Sequence, residues 1–349
     1  MALTPEGTRE LVREGHTVLC EASLGEGSGF KDTDYIAAGA SIVPKEAVFA
    51  DAALVIKVKE PLADEFNFLR PGLAIFTFLH LAPNRALTDT LMRGRVTALA
   101  YETLQSRGRL PLLMPMSEIA GRMAPVVGAH YLQRTYGGRG VLAAGVPGVL
   151  PATMLVLGAG VVGSNAARCA LGLDMDVTVL SRDIGQLREL ELEHRGMIKT
   201  RVSSDEAIEE CLPYADITVG AVLVSGERAP VLVTRAMLTL MKKGAVIVDV
   251  SVDQGGCFES SRPTTHENPV YEERGVVHYC VANMPGAYPH TSTLALTHAT
   301  LPYIRSLATQ GIEVAMRKDP ELRSALNAYD GMIAHRGLAE STGLPFTEI

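Results

Sequence analysis

Met154-Leu-Val-Leu-Gly158-Ala-Gly160-Val-Val-Gly163-Ser-Asn-Ala-Ala-Arg168 reads as a short apolar strand, a glycine turn and the opening of a helix. A tight strand-to-helix turn needs a residue that accepts positive φ, and a backbone that approaches a pyrophosphate needs a residue without a Cβ. Glycine meets both demands. The helix N-terminus behind the turn offers unpaired N–H groups and a partial positive charge to an anion. A bare GxGxxG is weak, because a glycine turn occurs in other α/β units. Here a second strand, Asp176-Val-Thr-Val-Leu180, follows the helix and gives the spacing of a dinucleotide-binding unit.

Working outward, the same texture continues. A helix is expected over 184–196, a strand over 217–224, a helix over 234–241, and strands over 245–250 and 276–281. On the amino-terminal side, Thr4 reads as an N-cap with Pro5 at the first helical position, the helix ending at Gly15. Strands are expected at 17–20, 53–59, 73–80 and 96–101, with helices over 32–38 and 84–93 and a polar helix between the second and third of those strands. Alternation of this kind predicts a parallel sheet. Near Leu113-Met-Pro-Met116 the texture changes: Ser117 is expected to cap a long helix reaching Tyr136, bent at Pro125, and a second long helix is expected over 291–316, interrupted at Pro302. The predicted fold is α/β, with two Rossmann-like domains, each a mainly parallel sheet flanked by helices and joined by long helices. The expected division is 1–112 with 290–349 for one domain, and 113–289 for the dinucleotide-binding domain.

The bulk composition fits this reading. The 349 residues are 47% hydrophobic and 20% charged, ordinary for a globular chain of two domains. A net charge of −7 with scattered Lys and Arg argues against a nucleic-acid partner. The five cysteines form no CxxC pair or ligand cluster, so no metal is expected and a reduced, cytoplasmic location is. Residues 141–167 carry no charge, but Pro147, Pro151 and the glycines would break a spanning helix, so no membrane association is expected.

Ligands of open parallel sheets sit beyond the carboxyl ends of the strands. Three polar residues fall there: Lys59 after one strand, His80 after the next, and Asp253 in the turn after the strand ending near Val250. A cation, an imidazole and a carboxylate suit binding and protonation of a small keto or amino acid. Taken singly, each has an ordinary explanation: a solvated strand-end Lys, a structural His, and an Asp doing turn work before Gly255-Gly256.

Longer motifs go further. Lys57-Val-Lys59-Glu-Pro61, Phe76-Thr-Phe-Leu-His80-Leu-Ala82, Met116-Ser-Glu-Ile-Ala-Gly-Arg122, Gly220-Ala-Val-Leu-Val224, Val252-Asp-Gln-Gly-Gly-Cys-Phe-Glu-Ser260 and Val281-Ala-Asn-Met-Pro-Gly286 together closely resemble the alanine dehydrogenase/transhydrogenase family, over essentially the whole chain. The resemblance implies reversible oxidative deamination of L-alanine to pyruvate and ammonium, with hydride passing to a nicotinamide cofactor (NAD), in a cytoplasmic homohexamer. It implies His80 and Asp253 as catalytic residues and Lys59 and Asn283 as substrate contacts. On the cofactor side it implies Ser117, Ser203, Val222, Leu232 and Met284 beside Gly158, Gly160 and Gly163.

Two departures from the family pattern stand out. Family members begin with a strand and a loop ending in an Arg that clamps the substrate carboxylate, just before a segment like Ala2-Leu-Thr-Pro5; here Met1 stands after that position. An anion without its bidentate partner loses binding and orientation. The expectation is either a start placed downstream of the true one, or a chain that binds substrate poorly. The second departure is at the end of the strand 176–180, where the family's ribose-binding Asp is replaced by Ser181, followed by Arg182 and Asp183. Loss of the carboxylate removes repulsion against a 2′-phosphate and Arg182 is placed to pair with one, so NADP enters as a possible cofactor beside NAD. The opposing readings are that Asp183 binds the ribose, or that Arg182 faces solvent. Two other functions stay open: a cofactor-binding protein with reduced or lost activity for want of the Arg, and a transhydrogenase-like nucleotide-binding subunit. The latter would lack the Lys59–His80 pair and would need membrane partners.

Overall fold

The computed structural model describes residues 1–222 and 228–349, and the chain divides into two compact units, residues 1–116 with 288–349 and residues 117–287. The first boundary falls inside the helix Met114–Tyr131.

The larger sheet belongs to the second unit. In spatial order its described strands are Val270–Glu273, Val276–Tyr279, Val246–Asp249, Ile217–Gly220, Thr153–Leu157, Asp176–Ser181 and Lys199–Val202. All neighbours run parallel except the outermost pair, Val270–Glu273 with Val276–Tyr279. Counted from Thr153–Leu157 and leaving that outermost strand aside, the order is the 3-2-1-4-5-6 of a doubly wound dinucleotide fold, with its switch point between Thr153–Leu157 and Ile217–Gly220. Both faces are covered, which is why the strands read as continuous apolar runs. Met154 and Val156 point to one core with Val177, Val179, Ile217 and Val219, while Leu155 and Leu157 point to the other with Leu180 and Ile247.

The first unit has a five-stranded sheet among the described residues: Leu54–Ile56, Ala74–Thr77 and Thr97–Ala100 parallel, then Leu326–Tyr329 and Met332–Ile333 antiparallel. A two-stranded parallel pair, Leu19–Glu21 with Ser41–Val43, lies apart from it. Phe76, Leu99 and Tyr101 form the core on one face, Tyr101 meeting Phe76 edge-on at 4.5 Å; Val55, Leu73, Ile75 and Ala98 form the other. Helix Pro5–Arg13 starts as the sequence predicts, with Thr4 Oγ1 accepting from the Gly7 N–H at 3.2 Å.

Several expected elements differ. Ser117 is not an N-cap; it lies in the first turns of the helix Met114–Tyr131. That helix starts earlier because Pro115 fits a first turn, where no intrahelical N–H partner is lost. Pro302 does not interrupt the helix Pro289–Gln310; the break comes at Gly311 (φ 80°), before Ile312–Lys318. The helix expected over 234–241 is a single 3₁₀ turn, Met237–Leu240, and the polar helix before Leu73 is the 3₁₀ segment Ala63–Phe68. The expected strand over 217–224 ends at Gly220, and residues 223 and 224 of that expectation lie outside the described residues. Among the described residues, no helix is long and apolar enough to cross a membrane, and no group of His, Cys, Asp or Glu is arranged to hold a metal ion.

His278, wholly buried in Val276–Tyr279, gives this fold a pH dependence. Its Nδ1 donates to the Val276 carbonyl at 2.9 Å and its Nε2 accepts from Ser260 Oγ at 2.8 Å. Burial disfavours the imidazolium and holds its pKa below the ordinary 6.5. Above 6.5 folded and unfolded chains are both neutral there; below it the unfolded chain takes a proton that the folded chain resists. Stability is therefore expected to fall as pH drops below 6.5, by up to about 1.4 kcal/mol per pH unit from this group. Urea unfolding of wild type and His278→Gln at pH 7.5 and about one to two units lower measures it: the variant should lose less stability on acidification, and an equal loss in both refutes the assignment.

Candidate functional site

Four backbone arrangements place the residues singled out in the sequence. In the first unit, chain continues alongside chain past the strand ends: Lys57 N–H donates to the Phe76 carbonyl and Phe78 N–H to the Val58 carbonyl, both at 3.3 Å, and Thr77 Oγ1 donates to the Lys59 carbonyl at 3.0 Å. The strands are shorter than expected, so Lys59 and His80 lie just beyond them, both exposed. Lys57 is anchored instead, 2.5 Å from the buried Glu65 carboxylate. Among the described residues neither the Lys59 ammonium nor the His80 imidazole has a hydrogen bond or ion pair, so both are free to meet a ligand.

His80 is held through its backbone. Its φ is +47°, a conformation an L-residue adopts at a cost of about 1–2 kcal/mol. The Glu102 carboxylate accepts from the His80 N–H at 2.7 Å and from the Leu79 N–H at 3.1 Å, and the imidazole stacks on Phe78 with the planes 9° apart. A dedicated acceptor thus holds the strained backbone in place. Sequence reasoning missed Glu102; a lone carboxylate 22 residues along the chain from His80 gives no local signal.

In the second unit, Asp253 sits exposed in the 3₁₀ turn Val252–Gln254, and its Oδ2 accepts from the Asn283 N–H at 3.2 Å. Asn283 is also left-handed (φ +55°), and Gly286 leaves room for its amide, since a Cβ there would lie 2.9 Å from Asn283 Nδ2. Met284, next along, is buried. The structure thus brings Asp253 and Asn283 together, as it brings Lys59 and His80 to neighbouring chain segments.

The glycine turn lies at the switch point. Gly158 has φ +109°, and a Cβ there would stand 2.5 Å from the Ala221 carbonyl oxygen and 3.1 Å from Val222. Gly163 is inside the helix Val161–Gly172, and its Cβ would meet the Gly158 oxygen at 1.9 Å. Gly160, the helix N-cap, is different: among the described residues a Cβ there meets nothing within 4 Å. Nothing among the described residues asks for glycine at 160, while the space over a helix N-terminus is where a pyrophosphate is received, so the turn fits a dinucleotide. Ser181 closes its strand, its Oγ accepting from the Asp183 N–H at 3.2 Å and its carbonyl from the Ser203 N–H at 3.0 Å. Asp183 is the N-cap of Ile184–Glu193, its Oδ1 accepting from Gly185 and Gln186. Arg182 is exposed and makes no ion pair among the described residues. Leu232 donates its N–H to the Cys257 carbonyl at 2.8 Å, beside the loop of Asp253, and Ser117 is half-buried in its helix.

The alanine dehydrogenase/PNT N-terminal domain model matches residues 1–120 and the corresponding C-terminal domain model residues 124–336. An alanine dehydrogenase of Halomonas elongata is 51% identical over all of this chain and 94% of that protein. A solved L-alanine dehydrogenase superposes with a TM-score of 0.94 at 45% identity, covering 98% of this chain and 95% of that one. A transhydrogenase structure from Sinorhizobium meliloti shares the fold, with a TM-score of 0.80 at 23% identity over 96% of this chain and 95% of that one.

The two glycines separate folding from ligand approach. Gly163→Ala should destabilise the chain by about 3 kcal/mol or more, because backbone must move to admit the methyl. Gly160→Ala should keep the wild-type melting temperature and lose NADH affinity by at least about tenfold, roughly 1.4 kcal/mol. Thermal unfolding and NADH fluorescence titration test both; a Gly160→Ala variant that binds NADH normally removes the cofactor from this turn.

Proposed function

The chain belongs to the alanine dehydrogenase/PNT family, and from that premise we propose that it is an alanine dehydrogenase, catalysing L-alanine + NAD⁺ + H₂O ⇌ pyruvate + NH₄⁺ + NADH + H⁺. The carrying observation is full-length identity of 51% to a curated alanine dehydrogenase, together with the Lys59–His80 pair at one end of the first unit's sheet. In this reading the unit of residues 1–116 with 288–349 supplies substrate-binding groups and the unit of residues 117–287 binds the dinucleotide.

The nicotinamide supplies the hydride acceptor. The protein's own groups do the rest. Lys59 donates to the pyruvate carbonyl oxygen and holds the forming negative charge. Protonated His80 gives its proton to the same oxygen as ammonia adds; in the deamination direction neutral His80 takes that proton from the carbinolamine hydroxyl as the carbonyl re-forms and ammonia leaves. Asp253 accepts a hydrogen bond from the attacking ammonia, or from water in the reverse direction, and takes up the proton it releases. The Asn283 amide donates to the substrate carboxylate. Gly158, Gly160 and Gly163 admit the pyrophosphate at the helix N-terminus; Val222, Leu232 and Met284 give apolar contact, and Ser117 and Ser203 polar contact, to the rest of the cofactor.

For the adenosine end we propose that NADP is accepted beside NAD. The Ser181 hydroxyl still has a proton to give to a phosphate oxygen, Asp183 Oδ1 is engaged in its own helix cap, and the Arg182 guanidinium is unpaired among the described residues. We also propose that the chain assembles as a homohexamer; the exposed apolar side chains of Leu142, Val149 and Leu150 support self-association.

Pyruvate- and ammonium-dependent NADH oxidation is the direct assay, and its absence refutes the activity. His80→Ala should lower kcat by about 10²–10⁴; an unchanged kcat takes His80 out of the mechanism. Arg182→Ala should shift the NADP/NAD ratio of kcat/KM toward NAD by about tenfold, the worth of one charge-assisted contact. An unchanged ratio sinks the argument from Arg182. Light scattering that reports a monomer sinks the hexamer.

A further inference from the structure

We propose that Asp249 is a positioning residue of the reaction: from its buried site it ties down both ends of the loop 251–257 and so fixes the Asp253 carboxylate. The inference rests on the reading of Asp253 as a catalytic group given above.

Asp249 ends the strand Val246–Asp249 and is fully buried. Its Oδ1 accepts from the Ser251 N–H at 3.0 Å, at the start of the loop. Its Oδ2 accepts from the Cys257 N–H at 2.9 Å, at the loop's end, and from Ser261 Oγ at 2.5 Å. One carboxylate therefore closes the loop at both ends, and Asp253 lies between the two attachment points. The backbone makes room for it on two sides. A Cβ on Gly256 (φ +82°) would lie 2.6 Å from Oδ2, and one on Gly220 would lie 2.9 Å from Oδ1. Ser251 reaches the other way, its Oγ donating to the Val222 carbonyl at 2.7 Å, which links the same loop to a residue read as touching the cofactor.

Stability alone gives no reason for this arrangement. No Lys or Arg pairs with Asp249 among the described residues, and an unpaired buried acid is costlier than an apolar residue of similar size. Burial raises its pKa, and the hydrogen bonds from Ser261, Cys257 and Ser251 pull the other way. What the carboxylate offers that an apolar residue lacks is acceptor capacity in two directions, enough to hold two separated N–H groups and a hydroxyl at once. Gly255 (φ +97°) and Gly256 make the loop intrinsically pliable, so the order of Asp253 must come from outside the loop. Asn283 holds Asp253 from one side, and Asp249 holds the chain on which it stands.

A double-mutant cycle tests this. Asp249→Asn keeps the volume but turns one acceptor into a donor that faces the loop's own N–H groups, releasing one end. Its kcat should fall by about 10- to 100-fold, the usual effect of losing a group that orients a reacting one. Its NADH dissociation constant should change by less than about twofold. In an Asp253→Asn background the same substitution should cost nothing further, since there is no carboxylate left to position. Equal losses in both backgrounds would mean a general structural role and overturn the proposal, as would an unchanged kcat in Asp249→Asn. If Asp249→Asn does not fold, Ser261→Ala removes one donor from Oδ2 and leaves the acid intact; its smaller kcat loss should likewise vanish in the Asp253→Asn background, and a loss that persists there overturns the proposal. Asp253→Asn with wild-type kcat strikes instead at the premise, and is told apart because it appears in the single variant alone.

Discussion

The second unit depends on one close approach. The carbonyl oxygen of Gly158 stands where a side chain on residue 163 would begin, 1.9 Å from the ideal Cβ position. Helix Val161–Gly172 can therefore lie tight on strand Thr153–Leu157 only if residue 163 is glycine. That contact aims the helix N-terminus past the strand's carboxyl end. Gly158 makes the second approach, to the Ala221 carbonyl, at the point where the strand order reverses. Two of the three glycines are thus demanded by the protein. Gly160 is demanded by nothing among the described residues, which is the physical content of reading it as a ligand's glycine.

The groups proposed for chemistry are held by a different device. His80 and Asn283 both take left-handed backbone, and in each case a carboxylate accepts the N–H of that residue: Glu102 for His80 and Asp253 for Asn283. Asp249 does the same for the backbone on either side of Asp253. An ionised carboxylate suits this work because it accepts several donors at once without needing to donate. The His80 imidazole and the Asn283 amide are then left without side-chain hydrogen bonds among the described residues, with their direction set through the main chain.

What was legible in the sequence follows from how local each signal is. The glycine turn, the apolar runs flanking it and the Thr4–Pro5 cap depend on residues within a few positions of each other, and their elements formed where the sequence places them. Errors arose where a distant contact decides. The strand Lys199–Val202 is short, mostly exposed and carries two basic residues; it exists because Asp176–Ser181 offers it an edge, so its own sequence gives little sign of it. Strand Val270–Glu273, with two acidic residues, pairs among the described strands with Val276–Tyr279 alone and is equally quiet. Pro302 was a misleading stop signal: a helix can forgo one N–H bond when its sides are buried, as Leu296, Ile304 and Leu307 are, whereas Gly311 ends it through backbone freedom. Glu102 and Asp249 were illegible as functional residues for the same reason. Their roles lie in which N–H groups they accept, and no spacing rule encodes that.

The adenosine corner shows how far such accounting reaches. For Asp183 to replace the missing family carboxylate at position 181, only its Oδ2 is left, because its Oδ1 already accepts from the Gly185 and Gln186 N–H groups. Turning both oxygens to the ribose would uncap that helix start at a cost of about 1 kcal/mol, which offsets much of what the second ribose hydrogen bond returns. Ser181, by contrast, accepts the Asp183 N–H and keeps its own proton available. A donor hydroxyl beside a guanidinium unpaired among the described residues favours an anionic group over a neutral diol, and the helix cap of Asp183 leaves only its Oδ2 to restore the balance.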